Sequence, residues 1–237
     1  MRTLFLLMLM SLPVMAQWKL DDQLKIAKPD DLKDMESTPP PKDATVLFDG
    51  KSMEAWTKKN GKPCEWRMAD GMMEGVKGHG DIVTKEKFGG KFKLHVEFRI
   101  PYEPMGKGQG RGNSGVYVQG RYEVQILDSY GLQSKNNDCA AIYEVLAPSV
   151  NACKAPTVWQ SYDIEFTAAK FDDKKKKTEP VHMTVHHNGV KVHDDVKVES
   201  DNTRAGAGGD PSTPGPILLQ DHGHPVQFRN IWIMKMK

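Results

Sequence analysis

Between Asn113 and Ser129 the chain reads Asn-Ser-Gly-Val-Tyr-Val-Gln-Gly-Arg-Tyr-Glu-Val-Gln-Ile-Leu-Asp-Ser, two alternating segments around a glycine. Side chains alternate across a strand, so Val116 and Val118 share one face while Tyr117 and Gln119 share the other. The return segment sets Tyr122, Val124 and Ile126 against Arg121, Glu123 and Gln125. Directly opposed residues of an antiparallel pair point the same way. Burying both apolar sets together therefore requires Tyr117 opposite Glu123, Val116 opposite Val124, and an odd turn of Gln119-Gly120-Arg121. The polar face then holds a tyrosine, a carboxylate and an amide with an arginine at the turn, which suits gripping a sugar or another polyhydroxyl ligand.

A second polar set lies in Lys91–Ile100. With Leu94, Val96, Phe98 and Ile100 on the core side, His95, Glu97 and Arg99 share the opposite one. If this strand neighbours the hairpin, Glu97, Arg99, Tyr117, Glu123 and Gln125 line a single concave surface, and Arg229 joins them from the C-terminal strand. For any one of these residues the plain alternative is a surface ion-pair ladder. Arg229 lies in an apolar strand, where a half-buried guanidinium needs carboxylate or other oxygen partners. His222 and His224 beside Asp221 are a weak metal signal, since such histidines more often bond backbone or face water. The glycines from 106 to 115 lack a Gly-Lys-Ser/Thr ending and open a strand, not a helix, which argues against nucleotide binding.

The elements that must carry these residues are short apolar-alternating runs separated by Gly, Pro, Asn and Asp. They fall at Glu65–Met68, Met72–Val76, Asp81–Thr84, Lys91–Ile100, Gly115–Gln119, Tyr122–Leu127, Ser161–Ala168, Val181–His187, Val190–Asp194, Ile217–Gln220 and Val226–Met234. No long amphipathic helix intervenes, so the spacing predicts an antiparallel β-sandwich. His187-Asn188-Gly189-Val190 predicts a two-residue type I′ hairpin turn. Ahead of the strands, residues 1–16 read as an export signal: Arg2, an apolar run from Leu4 to Met10, and Val14-Met15-Ala16 before the cleavage point. That run is too short to span a bilayer as a mature helix, and the mature chain is expected to be periplasmic or extracellular. Residues 17–44, polar and holding Thr38-Pro39-Pro40-Pro41, read as a leader or spacer. Residues 45–237 form one domain, a length that suits a single sandwich core.

The formal net charge is +2. Lys174–Lys177 follow Asp172-Asp173 and read as a solvated hairpin loop, not a nucleic-acid patch. Three cysteines are present, and in an oxidising compartment Cys139 and Cys153 could pair and leave Cys64 free.

Taken in order, Leu47-Phe48-Asp49-Gly50-Lys51-Ser52 with Trp56, Gly80-Asp81 with Thr84, Glu97-Phe98-Arg99, Asn113-Ser114-Gly115, Tyr122-Glu123-Val124-Gln125 with Asp128-Ser129, Ile142-Tyr143, Trp159, His187-Asn188-Gly189 and Gly215-Pro216-Ile217 through Phe228-Arg229-Asn230-Ile231 resemble the 3-keto-disaccharide hydrolase family. The likeness runs from about Thr45 to Lys237. Ala55 stands where the family usually has Gly before the first Trp, a departure confined to a turn. The resemblance implies an all-β, concanavalin-like jelly roll of two antiparallel sheets that acts on a 3-keto glycoside.

That chemistry differs from ordinary glycoside hydrolysis, which needs two carboxylates about an oxocarbenium ion. A ketone at carbon 3 acidifies the hydrogen on carbon 2, so one base can remove it. An enolate forms, the glycosidic oxygen leaves carbon 1, and water added back gives net hydrolysis. The site then needs a base, an enolate stabiliser and a leaving-group acid. Face and residue type nominate Glu123 as base with Glu97 second, Arg229 or Arg99 with or without a divalent cation at the enolate, and His222 as acid. Tyr117, Gln125 and Trp159 are the candidates for binding sugar. The rivals are a non-catalytic carbohydrate-binding module on the same fold and an adhesive sandwich. The carboxylates and arginines of the polar face favour catalysis over both.

Overall fold

The computed structural model describes residues 31–236; the expected export signal and the first part of the leader lie outside them. Among the described residues the strands run β1 (Thr45–Phe48), β2 (Trp56–Lys58), β3 (Arg67–Ala69), β4 (Met72–Glu74), β5 (Ile82–Thr84), β6 (Lys91–Arg99), β7 (Ser114–Val118), β8 (Tyr122–Ile126), β9 (Trp159–Thr167), β10 (Lys170–Phe171), β11 (Lys177–Glu179), β12 (Val181–His187), β13 (Val190–Val198), β14 (Leu218–Leu219) and β15 (Gln227–Lys235). An eight-stranded sheet has the order β13-β12-β9-β6-β15-β4-β3, with β1 also on β15, and a five-stranded sheet the order β2-β5-β14-β7-β8. All pairings within them are antiparallel. The fold is an all-β sandwich, as the spacing of the strands predicts, and of the jelly-roll kind that the family resemblance implies.

Alternation decides which side of each strand enters the core. Phe92, Leu94, Val96 and Phe98 from β6, with Tyr162, Ile164 and Phe166 from β9, meet Val116, Val118, Val124 and Ile126 from the smaller sheet in one apolar cluster. The Tyr162 hydroxyl crosses that core and donates to the Gln125 carbonyl at 2.6 Å, tying the two sheets together. Cys139 and Cys153 are buried free thiols. The Cys139 Sγ lies 3.2 Å from the Tyr162 hydroxyl, and the Cys153 Sγ faces the Lys154 and Leu127 carbonyls.

Both local turn expectations hold. Val116 faces Val124 and Tyr117 faces Glu123 around Gln119-Gly120-Arg121, with Gln119 and Gly120 at φ of 54° and 66°. His187 pairs with Val190, and Asn188 and Gly189 both take positive φ, 54° and 77°, as a type I′ turn requires. The lysine run joins β10 to β11, where Asp172 Oδ1 accepts the Lys174 and Lys176 amides, each at 2.9 Å. Among the described residues no helix is long and apolar enough to cross a membrane.

One expectation fails. β6 pairs with β9 and β15, whereas the β7–β8 hairpin belongs to the other sheet. Each sheet turns its apolar side inward, so their polar sides look out from opposite faces of the sandwich. Glu97, Arg99 and Arg229 therefore do not share a surface with Tyr117, Glu123 and Gln125.

Candidate active site

Glu123 stands on the polar face of the small sheet, in its edge strand β8. Its backbone is fixed along the free edge of β8: the amide donates to Thr203 Oγ1 at 3.1 Å, and the carbonyl accepts the Tyr143 amide at 3.1 Å. The 140–143 segment continues this edge protection, with Ala140 N donating to Gln125 O and Gln125 N to Ala141 O at 2.9 and 3.0 Å. A strand edge covered in this way holds its side chains in one register.

The Glu123 side chain is 1% exposed. Burial pushes its carboxyl up to about 8; the hydrogen bond from Tyr117 opposes that shift, and the nearby charges of Asp81 and Glu144 add to it. Tyr117 is raised too, by burial first and then by the charge of Glu123. Its hydroxyl accepts the Gln220 amide at 2.8 Å. Gly115 forms the floor, because a Cβ there would run into the Glu123 carboxyl and the Tyr117 ring. Around it, Gln125 donates to Gln109 Oε1 at 3.0 Å, and Asn113 donates to the Gln109 carbonyl at 2.8 Å. A carboxyl whose pKa lies near neutrality, held by a phenol and shielded from water, can both take and return a proton.

Glu97, Arg99, Arg229 and Trp159 gather on the far face. Glu97 Oε2 accepts Arg229 Nε at 2.6 Å, and its Oε1 accepts Ser37 Oγ, Asn230 Nδ2 and the Thr38 amide at 2.7, 2.7 and 3.1 Å. Burial pushes this carboxyl up, but hydrogen bonds from His95, Asn230, Ser37 and Arg229 outweigh that and hold it at about 2. Burial likewise opposes charge on His95, yet bonding to Asp163 and Glu97 leaves its pKa raised. The Arg99 and Arg229 guanidinium carbons lie 4.8 and 4.2 Å from the Trp159 ring centre, and Arg99 Nε donates to Gln227 at 2.7 Å. Glu97 is thus an engaged structural anion, a poor base, and Trp159 is roofed by arginines. His222 is exposed on the connection after β14 and stacks on His224 at 5.9 Å. His224 bonds Glu103 at 2.5 Å.

Of the nominated residues, Tyr117, Glu123 and Gln125 come together. Asp81, Asn113 and Tyr143 belong to the motifs that carried the family likeness but were given no role. Gln220 was missed: alternation from Leu218 marks its face, but nothing local says that β14 lies beside β7, where Leu218 opposes Tyr117. Among the described residues no group of three or more His, Cys, Asp or Glu is placed to hold a metal ion.

Residues 43–234 match the 3-keto-alpha-glucoside-1,2-lyase-like domain. The chain belongs to this family. A candidate glycosyl hydrolase from Parabacteroides distasonis ATCC 8503 superposes with a TM-score of 0.74 at 38% identity, covering 84% of this chain and 86% of that one. A second from the same organism gives 0.56 at 25% identity over 81% and 99%. A third gives 0.59 at 22% identity over 82% and 94%, a likeness of fold. Among proteins of curated function none matches the chain. Within the 3-keto-alpha-glucoside-1,2-lyase-like family this chain is a carbohydrate-active protein, and its buried Glu123 face is the candidate active site.

Proposed function

We propose that the protein is an exported enzyme that cleaves 3-keto glycosides by elimination across carbons 1 and 2. The observation that carries this reading is the buried Glu123 carboxyl, brought to about 8 and hydrogen-bonded by Tyr117. Glu123 takes the proton from carbon 2, and the electron pair moves toward the carbon 3 ketone to give an enolate. Collapse of the enolate restores the carbon 3 ketone, makes the bond between carbons 1 and 2 a double bond and breaks the bond from carbon 1 to the leaving oxygen, which departs as an alcohol after gaining a proton. Water added at carbon 1, with a proton returned to carbon 2, completes net hydrolysis. A base with this pKa suits a weakly acidic carbon–hydrogen bond better than an ordinary carboxylate does.

Tyr117 fixes the orientation of the carboxyl, and Gln125 and Gln220 hold substrate hydroxyls. His222, two residues beyond Gln220, is the proton donor to the leaving group. Glu97, Arg99, Arg229 and Trp159 have no part in the reaction, because the apolar core separates them from Glu123.

The test is turnover of 3-keto and unoxidised glycosides in parallel. Keto substrates should be cleaved, with the rate climbing with pH to a plateau above about 8, and Glu123→Gln should lower it roughly a hundredfold to ten-thousandfold. Substrate deuterated at carbon 2 should react more slowly where proton removal limits the rate. Near-normal turnover by folded Glu123→Gln removes Glu123 as base. Binding of unoxidised glycans with no cleavage of keto sugars replaces the enzyme with a binding module.

A further inference from the structure

Four acceptor oxygens around Gly115 are buried with no hydrogen-bond partner among the described residues: Glu123 Oε2, Gln125 Oε1, Gln220 Oε1 and Asn113 Oδ1. Such a group is costly to bury when left unmatched, so four on one face call for an explanation. Their placement is coherent. Gly115 opposes Gln125 across the hairpin, its carbonyl accepts the Gln220 amide at 3.1 Å, Asn113 lies two residues earlier on the same side, and Glu123 folds over it.

The amide orientations are set by a closed network. Gln109 Nε2 is committed to the Asn137 carbonyl at 2.8 Å, so its Oε1 must accept; it does so from Gln125 Nε2 and Asn113 Nδ2 at 3.0 and 3.1 Å. Gln220 Nε2 is spent on the Tyr117 hydroxyl, itself bonded to Glu123. That leaves Glu123 Oε2 and the Gln125, Gln220 and Asn113 side-chain oxygens unmatched. The neighbouring cations have other partners: Lys59 pairs with Asp81 at 2.6 Å, Arg204 with Glu144 at 2.8 Å, and Arg121 reaches the Thr213 and Asp210 carbonyls.

We propose that Glu123, Gln125, Gln220 and Asn113 form a calcium-type divalent cation site above Gly115. A set made of oxygens alone selects a hard cation, since soft and borderline metals draw on nitrogen or sulfur. Calcium accepts carboxylate and amide oxygens at about 2.3–2.6 Å in irregular geometry, whereas magnesium retains several waters and needs a strict octahedron. The shielding of these oxygens from solvent favours the ion that sheds its waters. The proposal does not rest on the glycoside reading, although the ion would stand beside the same carboxylate.

The experiment uses the purified full chain, stripped with chelator and titrated with calcium chloride by calorimetry, with sensitised terbium luminescence as a second probe because Tyr117 borders the site. One calcium per chain should bind with a dissociation constant of roughly 10⁻⁵ to 10⁻³ M. At a hundred times that constant the melting temperature should rise by roughly 5–10 °C. Gln125→Leu and Gln220→Leu should each weaken binding at least about tenfold, while Asp172→Asn on the β10–β11 turn leaves it unchanged. No heat, no terbium signal and no thermal shift up to 10 mM (roughly ten times the weakest constant expected) overturn the site, as does binding untouched by both leucine variants. If those variants fail to fold, the stoichiometry, terbium signal and thermal shift of the unaltered chain decide. Calcium bound without keto-glycoside cleavage overturns the proposed reaction and keeps the site; cleavage by chain that binds no calcium does the reverse.

Discussion

Glu123 and Glu97 are each about 1% exposed, yet they are displaced in opposite directions, to about 8 and about 2. Desolvation acts on both; the number of donors decides the sign. Glu97 receives hydrogen bonds from His95, Asn230, Ser37 and Arg229, whereas Glu123 has Tyr117 on one oxygen and, among the described residues, no partner on the other. A carboxyl raised on folding binds its proton more tightly in the native state, so the native state loses stability as pH rises from about 4.5 to about 8. The loss amounts to roughly 5 kcal/mol at most. Glutamine carries no charge to desolvate, so Glu123→Gln should melt several degrees above the unaltered chain at high pH and close to it near pH 3.5, about a unit below the ordinary glutamate value, where Glu123 is largely protonated in both states. Melting curves of the two proteins across that range measure the difference directly, and groups common to both cancel. A gap of the same size at both ends would mean that Glu123 titrates normally.

At the scale of the element, the β7–β8 hairpin was legible down to its register because its own alternation and odd turn over-determine it. The same holds for Asn188-Gly189. Sheet membership was not legible, since alternation assigns a face to a residue but never a neighbour to a strand. The placement of Glu97 beside Glu123 failed on that point. Gln220 went unnoticed for the same reason, because β14 is two residues long and its neighbours β5 and β7 are distant in sequence. Gly115 was readable only as part of a motif, and its reason appears once Glu123 is seen to occupy the space of its missing side chain. Gly115→Ala should therefore keep the sandwich, with a modest drop in melting temperature, while displacing the carboxyl and lowering turnover at least about tenfold, the scale of a misplaced catalytic group. Kinetics and melting of this variant, set beside Gly189→Ala at a turn remote from the site, separate a local from a global effect. Equal losses of turnover in the two would remove Gly115 from the site.

For the whole molecule, the stretch that reads as a spacer is, where described, a strap across the large sheet. Asp31 O accepts the Ala155 amide at 3.2 Å, Met35 N donates to Trp159 O at 3.0 Å, and Asp34 Oδ1 accepts the Trp159 amide at 2.9 Å. Ser37 and Thr38 close on Glu97, and the Thr38 carbonyl accepts Asn230 and Trp232 at 2.8 and 3.2 Å. Pro39-Pro40-Pro41 then lead into β1. Composition hid this, because a polar, proline-rich segment that buries backbone bonds looks no different from one that does not. Removing the strap strips Glu97 of two donors while leaving it under the sheet's own side chains. Hydrogen bonds to a charged group contribute about 1.5–3 kcal/mol each, offset by the entropy of ordering the segment. A chain beginning at residue 42 should therefore melt roughly 5–10 °C below one beginning at residue 31. The deficit should shrink as pH falls from about 4.5 towards 2, where the stabilisation from a carboxyl held at about 2 is lost in the longer chain. Turnover of keto glycosides by folded protein should be the same in both, because Glu123 lies on the other sheet. Equal melting temperatures would reduce the strap to a passive passenger, and lost turnover at equal foldedness would return the active site to the Glu97 face.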